Sequence, residues 1–280
     1  MRLLVTGAAG MLGRDVAAAA EAAEHDVIAL TRRDLDLTDP SLVRAAVQSA
    51  RPDSVVNCAA WTDVDGAETA EEQATRVNGA GAGAVAAAAA GAGAHTVHVS
   101  SDYVFDGTAS EPYIETSSPG PRSAYGRSKL AGERAVAEAS PVAAIVRSSW
   151  LYGLHGRNFV ATMLRLARER DAVSVVDDQI GCPTFTGHLA SALVEVAERR
   201  LTGVLHVAGE GSCSWCELAR ATFEQAGADC RAEPVSSAEF PRPAPRPAWS
   251  VLGSTRPDAP RLPAWRDGLE AYLAAAAVTR

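Results

Sequence analysis

The chain opens on a strand-sized apolar run, Arg2-Leu3-Leu4-Val5-Thr6, and breaks at once into Gly7-Ala8-Ala9-Gly10-Met11-Leu12-Gly13. Glycines spaced G-x-x-G-x-x-G between a buried strand and a helix constrain the fold more than any other stretch of this sequence. Gly7 permits the tight turn, Gly10 lets the backbone approach a pyrophosphate, and Gly13 lets the following helix pack closely. The helix N-terminus then turns unpaired N–H groups and the positive end of its dipole toward phosphate. The expectation is a dinucleotide-binding βαβ unit, with Gly7, Gly10, Met11, Leu12 and Gly13 at the cofactor.

The rest of the first half agrees with that opening. Apolar runs at Arg2–Thr6, Asp26–Leu30, Ser54–Asn57, 96–100 and 143–147 read as buried parallel strands. Helical patterns at Met11–Ala22, 41–50, 68–90 and 123–138 alternate with them. This alternation predicts an α/β fold, a Rossmann-like doubly wound parallel sheet over residues 1–150. Beyond Trp150 the pattern loosens into helices at 158–169, 187–200, 214–226 and 265–275 with strands at 173–176 and 204–207. Residues 151–280 are therefore read mainly as a smaller C-terminal substrate-binding lobe, some of whose segments return to the main sheet. Four prolines between positions 241 and 247 make that stretch an extended arm or ordered loop.

Composition narrows the class. Of 280 residues, 47% are hydrophobic and 21% charged, a globular balance, and the net charge of −8 disfavours a nucleic-acid or anionic-membrane partner. A local basic pocket for an anionic small molecule stays compatible with that charge. The opening apolar run is too short for a signal-peptide core, and the Ala/Gly-rich stretch at 79–94 is too short and weakly apolar for a span. A cytoplasmic location is expected. Five cysteines give no paired framework; Cys213-x-x-Cys216 overlaps Ser214-Trp215-Cys216-Glu217, which reads better as a capping box opening a helix.

Two further stretches speak to the cofactor. The second strand runs into Thr31-Arg32-Arg33, where NAD-selective folds place an acidic residue on the ribose 2′-hydroxyl. Arginine suits the 2′-phosphate instead, so NADPH is expected, with NADH as the alternative and solvated loop arginines as the simpler account. Asp36 and Leu37 follow beside the adenine position. Cys58, Ala59 and Ala60, small residues closing the third strand, can lie against the cofactor; Asn57 before them fits a strand-end turn equally well.

Tyr125-Gly126-Arg127-Ser128-Lys129 places tyrosine and lysine one turn apart on a helix face. A lysine ammonium there favours the ionised phenol and is expected to bring Tyr125 toward neutrality. The pair follows a strand ending in Ser100-Ser101-Asp102, and the Ser101 hydroxyl can bond a carbonyl undergoing reduction. Ser101, Tyr125 and Lys129 in this order form a candidate catalytic set.

With these residues in hand, the chain resembles the extended short-chain dehydrogenases, and within them the dTDP-4-dehydrorhamnose reductase family, along nearly its whole length. Besides the glycine loop and the Tyr125/Lys129 pair, the resemblance rests on Val56-Asn57-Cys58-Ala59-Ala60-Trp61-Thr62-Asp63-Val64-Asp65 and Ser100-Ser101-Asp102-Tyr103-Val104-Phe105-Asp106-Gly107. It continues through Arg147-Ser148-Ser149-Trp150-Leu151-Tyr152-Gly153, Asp178-Gln179, Gly181-Cys182-Pro183-Thr184 and Arg246-Pro247 with Ser250. The D-Y-V-F-D-G and W-x-Y-G segments are specific to the family, whereas the glycine loop and Y-x-x-x-K are shared with all its relatives.

The resemblance implies hydride transfer from NADPH or NADH to C4 of a dTDP-4-dehydro-6-deoxy sugar, most specifically dTDP-4-dehydro-L-rhamnose. It implies Tyr125 as proton donor, Lys129 on the nicotinamide ribose, Ser101 on the keto oxygen, Asp102 beside the sugar and Trp150 against the substrate. Arg246, with Arg242, is a candidate for the substrate diphosphate by its bidentate chemistry, an exposed loop being the alternative. Serine replaces the threonine common at position 101, with the hydroxyl kept. Some members hold magnesium between subunits with acidic residues; Asp15 fits one such position but His188 occupies another, so no metal is predicted, and a homodimer stays open. A sibling nucleotide-sugar ketoreductase or epimerase of antibiotic deoxysugar biosynthesis is the alternative function. A non-catalytic NADP-binding regulatory subunit is a third, against which the intact Ser101, Tyr125 and Lys129 stand.

Overall fold

A computed structural model describes residues 1–278. In chain order it contains β1 (Arg2–Thr6), α1 (Met11–Ala22), β2 (Asp26–Leu30), α2 (Pro40–Ala50), β3 (Ser54–Asn57), α3 (Glu71–Thr75), α4 (Ala82–Gly91), β4 (His95–Ser101), α5 (Ala124–Ala139) and β5 (Ala144–Ser148). Then come β6 (Leu151–Tyr152), α6 (Phe159–Leu166), β7 (Ala172–Val176), β8 (Ile180–Gly181), β9 (Thr184–Phe185), α7 (Thr186–Glu198), β10 (Gly203–His206), β11 (Cys213–Ser214), α8 (Trp215–Gln225), β12 (Arg231–Val235) and α9 (Trp265–Val278).

Six strands form one sheet in the order β10-β5-β4-β3-β1-β2, every neighbouring pair parallel. Its strands are apolar on both faces because both faces are covered. Leu3, Val5, Val56, Val97, Ala144 and Val146 pack beneath α1 and α7, while Leu4 and Val55 meet Val43 and Val47 of α2 and Val85 and Ala89 of α4. The period of two is thus present, although no polar residue marks it in the sequence.

Chain order and spatial order part company after Trp150. β10 lies beside β5 at the sheet edge, and Leu189, Leu193 and Val196 of α7 join the core with Leu12 and Val16 of α1. Beyond it, α6 and α8 pack on a parallel β7–β12 pair, supplying Met163, Ala219 and Phe223. α8 opens with the capping box expected at Ser214 and Glu217, whose side chain and backbone bonds are reciprocal.

The single helix expected at 68–90 is built differently. A short 3-10 turn, Gly66–Glu68, precedes α3, and a π-wound stretch, Arg76–Gly81, joins α3 to α4. Glu68 does not open the helix because its carboxylate takes the N–H of Ala124, at the start of α5, at 2.7 Å. The π-wound stretch carries buried Asn78, which accepts from Trp61 N (2.7 Å) and donates to Trp61 O (3.1 Å) and Ser128 Oγ (2.9 Å). One side chain thereby ties the loop after β3 to α5. Among the described residues no helix is long and apolar enough to cross a membrane.

Candidate active site

A cleft of about 1140 Å³ runs along the carboxyl ends of β1, β3, β4 and β5, where open α/β sheets bind ligands. A single small-molecule site occupies roughly 300–1,000 Å³. This cleft therefore has room for more than one ligand.

The glycine turn forms one end. Gly7 has φ +69°, and a Cβ there would stand 2.6 Å from the Ala59 nitrogen; a Cβ on Gly13 would overlap the Gly7 carbonyl. The turn, α1 and the loop after β3 therefore meet backbone to backbone. No side chain caps α1, so its first-turn N–H groups are left for a ligand. Asn57 takes the turn role: its Oδ1 accepts from Thr6 Oγ1 at 2.7 Å and from Ala59 N at 3.2 Å, setting Cys58, Ala59 and Ala60 along the cleft wall. Arg32, Asp36 and Leu37 also line the cleft, whereas Arg33 does not. Asp36 accepts both the N–H and the hydroxyl of Thr38 at 2.9 and 2.8 Å, and Asp34 is engaged in the same way by Thr31. Each carboxylate nearest Arg32 in sequence thus has a local partner already. This cradle of glycine backbone, uncapped helix and small wall residues fits a dinucleotide.

At the other end Ser101, Tyr125 and Lys129 line the cleft together. Ser123 caps α5 by accepting from Gly126 N at 3.1 Å, which starts the helix one residue before Tyr125. The Ser101 hydroxyl donates to Asp102 Oδ1 at 2.8 Å. Lys129 Nζ donates to the Val99 carbonyl at 2.7 Å. Burial lowers Lys129 to about 8, with Glu133 pulling the other way. The expected lowering of Tyr125 is not found in the structure. Burial, then the Asp102 charge, push its phenol up to about 12, and Lys129 is turned to a carbonyl. Desolvation of the phenolate is the largest cause.

Asp102 is buried, and its Oδ2 has no hydrogen-bond partner among the described residues. Burial raises its carboxyl from the ordinary 3.8 to about 6, with Ser250 and then Ser101 acting against the rise. A folded pKa above the unfolded one means that the folded state holds the proton more tightly. The stabilisation is complete below 3.8 and lost as pH rises through about 6. Asp102→Asn abolishes that titration, so the wild-type Tm should fall relative to the Tm of the variant as pH rises from 4 to 7. Thermal melts of both proteins without ligand test this; a Tm difference that stays flat with pH contradicts it.

Behind Lys129, one turn along α5, lies a buried ion pair. Arg147 of β5 donates to both oxygens of Glu133, at 2.8 and 2.6 Å, and Ser100 donates to the same carboxylate at 2.6 Å. The paired side chains are 4% and 5% exposed, and the guanidinium sits 5.0 Å from the Phe105 ring centroid. Position in the sequence gave no sign of this pairing, since Glu133 falls within a charged helix face.

On the substrate side, Trp150 holds φ +48° and stacks on Trp215, ring centroids 3.5 Å apart and planes 1° apart. A left-handed non-glycine residue costs about 1–3 kcal/mol, and here the indole stack holds it in place. Trp215 Nε1 donates to Gln179 Oε1 at 3.2 Å. Arg246 lines the cleft, but its guanidinium is already engaged, 2.9 Å from Asp65 Oδ2 and 3.1 Å from the Ala244 carbonyl. Arg242 is not part of the cleft wall. The arm is seated nearby because Gly107, at φ +76°, has no Cβ to strike Pro247. Sequence reasoning missed Trp215 as a cleft residue, together with Arg76, Arg157 and Tyr103, whose ring meets Tyr125 edge-on at 5.4 Å. Tyr103 stood inside a segment that signalled the family; Trp215 was hidden inside a capping box.

A parallel sheet with a glycine turn at one end of its cleft and serine, tyrosine and lysine at the other defines a short-chain dehydrogenase/reductase. The chain matches the RmlD substrate binding domain family over residues 1–278 and belongs to that family. It is 47% identical to a dTDP-4-dehydrorhamnose reductase of Mycobacterium tuberculosis, over 99% of this chain and 93% of that one. Identity is also 47% to a dTDP-4-keto-6-deoxy-D-glucose reductase of Streptomyces niveus, over 90% of this chain and 88% of that protein. Among solved structures, the dTDP-4-dehydrorhamnose reductase of Bacillus anthracis in complex with NADP superposes with a TM-score of 0.95 at 40% identity, covering 98% of this chain and 99% of that one.

Proposed function

We propose that this protein reduces the C4 keto group of a dTDP-4-dehydro-6-deoxy sugar, with NADPH as the hydride donor and dTDP-4-dehydro-L-rhamnose as the foremost substrate. The observation that carries the reading is the single continuous cleft joining the glycine turn to Ser101, Tyr125 and Lys129. NADPH, when bound, supplies the hydride that adds to the carbonyl carbon. Ser101 hydrogen-bonds the keto oxygen, and Tyr125, fully protonated at neutral pH, gives its proton to the oxygen as negative charge develops there. Lys129 supplies a buried positive charge beside that transfer and holds the nicotinamide ribose. Asp102, with a free buried oxygen, accepts from a sugar hydroxyl, and Trp150 presents its indole to the sugar.

The equal 47% identity to reductases named for two different sugars favours a second substrate reading, another 4-keto-6-deoxy sugar nucleotide such as those of antibiotic pathways. Following NADPH consumption across a panel of 4-keto-6-deoxy sugar nucleotides, with the product configuration at C4 determined, separates the two. Fastest turnover of the L-rhamnose precursor supports the first. Turnover of a different epimer alone supports the second, and no turnover of any supports a non-catalytic role.

Cofactor choice gives a further expected result. Arg32→Ala should weaken NADPH binding roughly tenfold, the scale of one charged phosphate contact, and leave NADH unaffected. Arg33→Ala should change neither, since Arg33 lies off the cleft. Equal losses for both dinucleotides in Arg32→Ala would remove the 2′-phosphate from its role.

A further inference from the structure

The loop between β6 and α6 does not belong to the main sheet, yet it docks on α1. His155 Nε2 lies 3.7 Å from Asp15 Oδ1, and a Cβ on Gly153 would stand 3.1 Å from Met11 Cγ, in the first turn of α1. Asn158 fixes the far end of the loop, donating to the Gly153 carbonyl at 2.8 Å while it caps α6 through Ala161 N at 2.8 Å. Gly156 and Arg157, at the tip, line the same cleft as the glycine turn.

The charges in that cleft are unevenly committed. Five basic side chains line it: Arg32, Arg76, Lys129, Arg157 and Arg246. Arg246 is paired with Asp65, and Lys129 is bonded to Val99. Arg32 extends from the end of β2, and Arg76 from the π-wound stretch whose Gly81 abuts Leu37. Arg157 has no hydrogen-bond or ion-pair partner among the described residues, and it comes from the segment that lies on α1. The turn from Thr6 to Gly13 contains no basic residue, and Arg14 is directed to the Ala9 carbonyl at 3.2 Å. On the α1 side, a pyrophosphate would therefore meet N–H groups and a helix dipole but no formal positive charge.

We infer that Arg157 supplies that charge at the cofactor pyrophosphate, making the β6–α6 loop that docks on α1 a second, cationic half of the dinucleotide site. A guanidinium spans phosphate oxygens in bidentate fashion, and a glycine before it at φ +78° leaves the tip free of its own side-chain contacts. The inference rests on the dinucleotide reading of the cleft given above.

Calorimetric titration of the full-length wild type, Arg157→Ala and Arg157→Lys with NADPH, NADH and dTDP tests it. The pyrophosphate is common to both dinucleotides, so Arg157→Ala should raise both Kd values by the same factor, roughly tenfold, with Arg157→Lys recovering part of the loss. The Kd for dTDP should not move. Unchanged dinucleotide affinities overturn the inference; so does a loss confined to NADPH, which would make Arg157 a reader of the 2′-phosphate. Weakened dTDP binding alone also overturns it and moves Arg157 to the substrate diphosphate. A wild type that binds neither dinucleotide is a separate outcome, in which the cofactor reading itself falls and the inference falls with it.

Discussion

Tyr125→Phe is expected to lower kcat by about 10²–10⁴-fold, the usual worth of a general acid, while the dinucleotide Kd stays at its wild-type value. The substitution removes one hydroxyl and keeps the ring that Tyr103 meets edge-on at 5.4 Å. Ser101 retains its bond to Asp102 at 2.8 Å, so the local geometry has reason to persist. With its phenol pushed up to about 12, Tyr125 carries its proton throughout the working pH range and is a donor without further activation. Single-turnover reduction of a keto-sugar nucleotide, measured beside an NADPH titration, checks both halves. Retention of most of the wild-type rate would take proton donation away from Tyr125.

Arg147→Met is expected to destabilise the fold by about 3–5 kcal/mol, because it leaves the Glu133 carboxylate buried without its counter-charge. Removing both charges, in Glu133→Leu with Arg147→Met, should restore much of the loss, since a buried pair is costly to break but often replaceable by apolar packing. Denaturant unfolding of the single and double variants measures the two terms. A single-variant loss below about 1 kcal/mol, the range of exposed pairs, would show the site to be hydrated. The pair's place one turn behind Lys129 makes a second readout useful: the double variant lacks the carboxylate that opposes the effect of burial on Lys129.

Much of this site was legible in the sequence because its requirements are local. Gly7 and Gly13 must be glycine for backbone reasons that act within a few residues, and Tyr125 and Lys129 share a face by helical arithmetic alone. Asn57 was ambiguous for the same reason: a strand-end turn and a cofactor wall both begin with such a residue, and only its bonds to Thr6 and Ala59 decide. What stayed hidden depends on distant segments meeting. Trp215 reaches Trp150 across 65 positions of sequence, and Arg246 finds Asp65 across 181. The π-wound stretch at Arg76–Gly81 lies in alanine- and glycine-rich sequence with no marker except Asn78, whose partners come from two other elements. The rise of the Tyr125 phenol stayed hidden because it comes from desolvation by the surrounding fold and from the Asp102 charge, not from its neighbours on the helix.

The return of β10 to the edge of β5 bears on how relatives with different sugar preferences can be recombined. Exchanging everything after Trp150 as one block would swap not merely a pocket wall. It would also replace a strand of the host sheet and the α7 face that packs on α1. The arm adds its own stitches: Tyr113 pairs with Leu252 and Ile180 with Trp249, so one short segment touches both sides of any such crossover. Chimeras that keep residues 186–207 with the first half, and graft the substrate wall around them in separate pieces, respect those seams.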